Sequence, residues 1–164
     1  MENLTFYRIA QPSPTMSNPN CNAALSVNRI LSGIDELISS KPNDTIIVFA
    51  PGFHYTNWNP YVFARDVSNI NNHSIELKKK YPKIKILFRE LPWSCISNLQ
   101  SRLLTTWIQK KQNSIARKLL DPSVIKIVNT FDYVLTRWKW MQVNNLHTYG
   151  IQDENLAKMI LNNV

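Results

Sequence analysis

Apolar positions along the chain change their period in a regular order. Val27, Ile30, Leu31, Ile34, Leu37 and Ile38 recur at steps of three and four, the stripe of one helical face. The run "TIIVFA" (45–50) is then apolar without a break, as in a parallel strand covered on both faces. Val62, Phe63, Val67 and Ile70 restart the helical period after Pro60, a residue suited to a first helical turn. Leu103, Leu104, Trp107, Ile108, Ile115 and Leu119 mark a third helix, and Leu156, Met159 and Ile160 a short last one. An opening run, "LTFYRI" (4–9), reads as a further strand.

Prolines punctuate this alternation at 42, 82 and 122, each ahead of a β-rich run: "KPNDTIIVFA", "YPKIKILFRE" and "DPSVIKIVNT". Forty residues hold one strand, one helix and two loops. No other residues recur at that spacing, so the period is architecture and not an internal repeat. The order is β-α-β-α-β-α-β-α, which predicts an open, doubly wound α/β sheet. The proline-rich loop "QPSPTMSNPN" is too short for a linker, so residues 1–164 read as a single domain.

Topology then decides where chemistry collects. Ligands of such sheets bind beyond the carboxyl ends of the strands. Those ends lead here into "PGFHYTNW", "RELPWSC" and "NTFDY". His54, Arg89, Glu90 and Asp132 are expected on one rim. Gly52, alone, serves to turn the chain. His147 closes "VNNLH" before the last helix, beside Asn144 and Asn145, in the place of a late general base. His73, in "NNHS", reads as exposed.

Composition narrows the function classes. A chain of 164 residues with 44% hydrophobic and 18% charged residues is globular. No apolar run approaches the ~20 residues of a membrane span. The net charge of +8 raises nucleic acid as a partner. The cations fall mostly at helix ends, where the dipole favours them. Only "RWKWM" (137–141) interleaves basic and aromatic side chains, so no nucleic acid is expected. Cys21 and Cys95 lack a C-x-x-C spacing and the histidines lack a zinc spacing. No metal and no cofactor is called for.

The segments "DTIIVFAPGFHYTNWNPYVFARDV" (44–67) and "NTFDYVLTRWKWMQVNNLHTYGIQ" (129–152) resemble the C-terminal domain of the NXPE family. There too a strand runs into a Gly-x-His turn, followed by an aromatic loop, a Pro and a helix. The closing segment carries an early Asp and an Asn-Asn-x-His motif. The likeness spans roughly residues 4–160. It implies a three-layer, flavodoxin-like (SGNH-type) parallel sheet, related to PC-esterases, that transfers or removes acyl groups on sugars. Gly52 falls on the glycine of the oxyanion-hole turn, and His54 on the Asn beside it. His147 falls on the catalytic histidine and Asn144 on the triad acid. Asp132 matches an aspartate of that segment without an assigned role. An acylated sugar or glycan is the implied partner, and the secretory-pathway lumen the implied location.

The departures from the pattern carry equal weight. The three glycines stand in "SGID", "PGFH" and "YGIQ", so no Gly-Asp-Ser block and no nucleophilic serine is present. Thr148 replaces the Pro that follows the family's closing His. Asn144 cannot stabilise an imidazolium as a carboxylate does, an exchange costing roughly 10⁴ in turnover in serine proteases. In a flavodoxin-like order, 2-1-3-4-5, the missing first strand lies between residues 4–9 and 45–50. The expectation is an incomplete SGNH-type domain, inactive as the isolated chain. The alternative is a non-catalytic binding module whose Trp58, Trp93, Trp138 and Trp140 stack on sugar faces. The sequons at Asn3, Asn43 and Asn72 are about as many as this composition yields by chance.

Overall fold

The structure, a computed structural model, describes residues 27–39, 45–50, 59–91, 93, 99–136, 155, 157–160 and 162. Four helices and three strands alternate through them. Helix α1 (Val27–Ile38) precedes β1 (Ile46–Phe49), and α2 (Pro60–Lys80) leads to β2 (Lys85–Arg89). Helix α3 (Leu99–Leu119) leads to β3 (Lys126–Val128), which α4 (Phe131–Leu135) follows. Asn155 and Ala157–Ile160 are helical, as the pattern of Leu156, Met159 and Ile160 predicts. The expected strand at 4–9 lies outside the described residues, as do Cys21 and Cys95.

The strands form one parallel sheet in the order β1-β2-β3. Phe49 stands opposite Phe88, and Phe88 opposite Ile127. Both crossovers step in the same direction. Right-handed connections of that kind place their helices on one face, and α2 and α3 pack side by side. The architecture is α/β with an open parallel sheet flanked by helices. It is the 3-4-5 half of the flavodoxin-like order, with β1 an edge strand among the described residues.

Local chemistry accounts for the helix ends. Asn59, at φ −56° and ψ 128°, caps α2 by accepting the Tyr61 N–H at 3.0 Å, and Pro60 occupies the first turn. The pairing satisfies one orphan donor and wastes none on the proline. Lys78, Lys79 and Lys80 crowd the last turn, where they complement the dipole. The Lys78 ammonium also donates to the carbonyls of Pro82 (2.8 Å) and Ile84 (2.6 Å), holding the turn that feeds β2.

The main core lies between the sheet and the helices α1 to α3. Ile47, Phe49, Ile86 and Phe88 meet Val27, Leu31, Ile34 and Ile38 of α1 and Phe63, Val67 and Ile70 of α2 in one cluster. Each such side chain contributes ~1.5–3 kcal/mol when fully buried. The other sheet face is mixed. Leu87 and Val128 are buried there, but Val48 is 39% exposed and Lys85 and Lys126 are exposed. Uninterrupted apolar runs therefore overstate how fully the described residues cover β1.

Two sequence expectations are corrected. His73 is not an exposed residue: its ring is half-buried against α1, with Nε2 3.2 Å from the Asp35 carboxylate. Helix α3 buries the stripe read from its apolar residues only in part, with Ile115 packed against the core. Trp107 is 58% exposed and Leu119 is 37% exposed, whereas Gln109, Gln112, Asn113 and Ala116 are buried. Of these, Asn113 meets the Leu91 backbone at the rim.

Candidate functional site

The rim is built outward from the end of β2. Glu90 N–H donates to the Val128 carbonyl (3.1 Å), extending the β2–β3 ladder one residue past the strand. Its own carbonyl accepts from Thr130 Oγ1 at 2.7 Å. Leu91, next in the chain, is clasped by Asn113 of α3. The Leu91 N–H donates to Asn113 Oδ1 and the Leu91 carbonyl accepts from Asn113 Nδ2, both at 2.9 Å. Four backbone groups leaving the sheet are thus satisfied while buried, which removes a cost of roughly 1–3 kcal/mol each.

Charge is ordered around this frame. The Glu90 side chain is fully buried, and its Oε1 accepts from the Arg117 Nε of α3. That hydrogen bond raises the Arg117 guanidinium above its ordinary value. Arg89, one residue earlier, points to the opposite sheet face, as strand alternation demands. It stands in register with Val128. Burial alone lowers its guanidinium below the usual range.

Asp132 belongs to the same edge, on the first turn of α4. Its carboxylate Oδ2 accepts from Asn129 Nδ2 (2.8 Å), and its N–H donates to Asn129 Oδ1 (3.2 Å). This reciprocal pairing opens α4 while the N-cap Thr130 turns its hydroxyl towards Glu90. Asp132 is exposed and adds to the field at Arg117. The structure gives it a helix-starting role on the rim.

Trp93 lies below the rim and is not a platform for sugars. It is 9% exposed, packs with Phe131 and Val134, and donates Nε1–H to Thr106 Oγ1 at 3.0 Å. Trp58, Trp138 and Trp140 lie outside the described residues.

Arg89, Glu90 and Asp132 therefore stand at the carboxyl ends of their strands, as topology requires. Gly52, His54, Asn144 and His147 lie outside the described residues. Gly52 and His54 follow closely on Phe49, the last residue of β1. Sequence reasoning missed Asn113, Thr130 and Arg117. A signal existed for the first: Gln109, Gln112, Asn113 and Ala116 share one helical face, a polar stripe beside the apolar one. Among the described residues no three His, Cys, Asp or Glu side chains gather as a metal site. No helix among them is long and apolar enough to cross a membrane.

No curated protein and no solved structure matches the chain. The sequence profile of the NXPE family member 4-like C-terminal domain matches residues 3–164. With that match covering nearly its whole length, the chain belongs to the NXPE family, as a C-terminal domain.

Proposed function

We propose that this chain carries the oxyanion-binding and general-base half of an SGNH-type domain for acyl transfer or ester hydrolysis on glycans. The observation that supports this reading is positional. The Gly-x-His segment follows, in sequence, the carboxyl end of a parallel β-strand, the end at which such sheets bind ligands. Amides near Gly52, with His54, would hold the oxyanion. His147, assisted by Asn144, would take the proton of an attacking hydroxyl. Asp132 would support the rim and not the proton transfer.

No Gly-Asp-Ser block is present in the sequence. The isolated chain is therefore expected to lack hydrolysis of p-nitrophenyl acetate. Turnover that disappears in His147→Ala would overturn the inactive half-site. The secretory-pathway lumen is the setting that this family reading implies.

The Asn at the triad-acid position favours a second reading, a secreted binding module for a glycan or protein. Saturable retention on a glycan array, unchanged by His147→Ala, is its signature. An enzyme remnant loses binding or shows none.

A further inference from the structure

A guanidinium withdrawn from water needs an anion. Arg89 is half-buried at the end of the middle strand, and its Nε is wholly buried without a hydrogen-bond partner among the described residues. No carboxylate among them reaches it. Glu90 is held by Arg117 on the other sheet face, and Asp132 is paired with Asn129. An unpaired buried charge is among the costlier features a fold retains, whereas a partnered one is not.

Position adds the second argument. The β1–β2 register, Phe49 opposite Phe88, brings Ala50 level with Arg89. Neighbouring strands lie ~4.8 Å apart, so Arg89 stands beside the carboxyl end of β1. Val128, its partner on the other side, is buried and apolar, so it supplies no charge. Arg89 thus sits mid-rim, with its Nε buried and the residue as a whole partly exposed.

We infer that Arg89 is an anion-binding residue, taking one oxyanion of a bound ligand, a carboxylate or a sulfate or phosphate ester. A planar fork grips such groups through two parallel N–H donors, which a lysine cannot reproduce. The inference concerns recognition alone and holds whether or not the rim performs acyl chemistry.

The experiment follows thermal unfolding of the whole chain in sodium chloride, sulfate, phosphate and acetate at matched ionic strength. Wild-type protein is expected to gain several degrees in at least one oxyanion over chloride. The anion that acts separates the ester sources from the carboxylate. Arg89→Lys should weaken that anion's apparent affinity about tenfold by losing the fork. Arg89→Met should melt higher than wild type in chloride, being relieved of an unpaired buried cation, and should gain from each oxyanion only the general rise that excluded salts give any fold. A wild-type rise over chloride no larger than that of Arg89→Met in every oxyanion overturns the inference. So does an Arg89→Met variant that melts lower in chloride, because the arginine is then partnered within the chain.

Discussion

Helices α2 and α3 are both 21 residues long, lie side by side and end in basic turns. Yet they bury different mixtures of surface. Helix α2 sinks Phe63, Val67, Ile70 and Leu77 with Asp66 and Ser74, and α3 sinks Gln109, Gln112 and Asn113 beside Ala116. The difference lies in what each faces. Helix α2 covers the apolar strand residues Ile47, Phe49 and Ile86. Helix α3 reaches the place where β2 ends and the Leu91 backbone leaves its ladder. Helix α2 is held mainly by buried area, and α3 adds the Asn113 hydrogen bonds at the strand end to its share of the core.

That contrast breaks most visibly at Phe63. Phe63→Ala opens a cavity in the α2 core and should cost ~3–5 kcal/mol, read from urea unfolding midpoints. Asn113→Leu keeps the volume of the α3 side but strands a buried N–H and a buried carbonyl at Leu91. A loss of roughly 2–4 kcal/mol is expected in the same assay. If that variant is as stable as wild type, the polar clasp does not hold α3.

Trp107 tests the converse. It is exposed, with the Lys111 ammonium 4.9 Å from its ring centre. Trp107→Gln should stay within about 0.5 kcal/mol of wild type, whereas a buried tryptophan would cost several times more. The smallest effect belongs to the turn joining α3 to β3. There the hydroxyl and backbone N–H of Ser123 donate to Asp121, which lowers that carboxyl below its ordinary value. A depressed carboxyl adds stability above its unfolded value and loses it as pH falls through the folded one. Ser123→Ala should raise the Asp121 carboxyl, read by NMR titration, and flatten this acid-range slope slightly.

Much of the fold was legible in the residues. Val27, Leu31, Ile34 and Ile38 share one period because that face of α1 lies on the apolar core, so periodicity and burial coincide. Pro60 and the unbroken "TIIVFA" run marked the start of α2 and the place of β1 for equally local reasons. The α3 stripe misled because Trp107 and Leu119 are apolar yet face outward. Periodicity finds a helix but ranks its faces by hydropathy alone. It cannot see that a neighbouring strand end demands amides. His73 misled similarly: "NNHS" is polar throughout, and only the packing of α1 on α2 brings Asp35 beside the ring.

The candidate site divides along the same line. By itself the sequence determined the family, the alternation of strands and helices, and the rim on which Arg89, Glu90 and Asp132 stand. These depend on chain order and local period. Only the tertiary structure decided the roles on that rim. It assigned Glu90 to Arg117, Asp132 to Asn129 and Trp93 to the core, and left Arg89 without a carboxylate among the described residues. Glu90 and Arg117, 27 residues apart in the chain, are brought together only by the fold. Burial then sets what each pairing is worth.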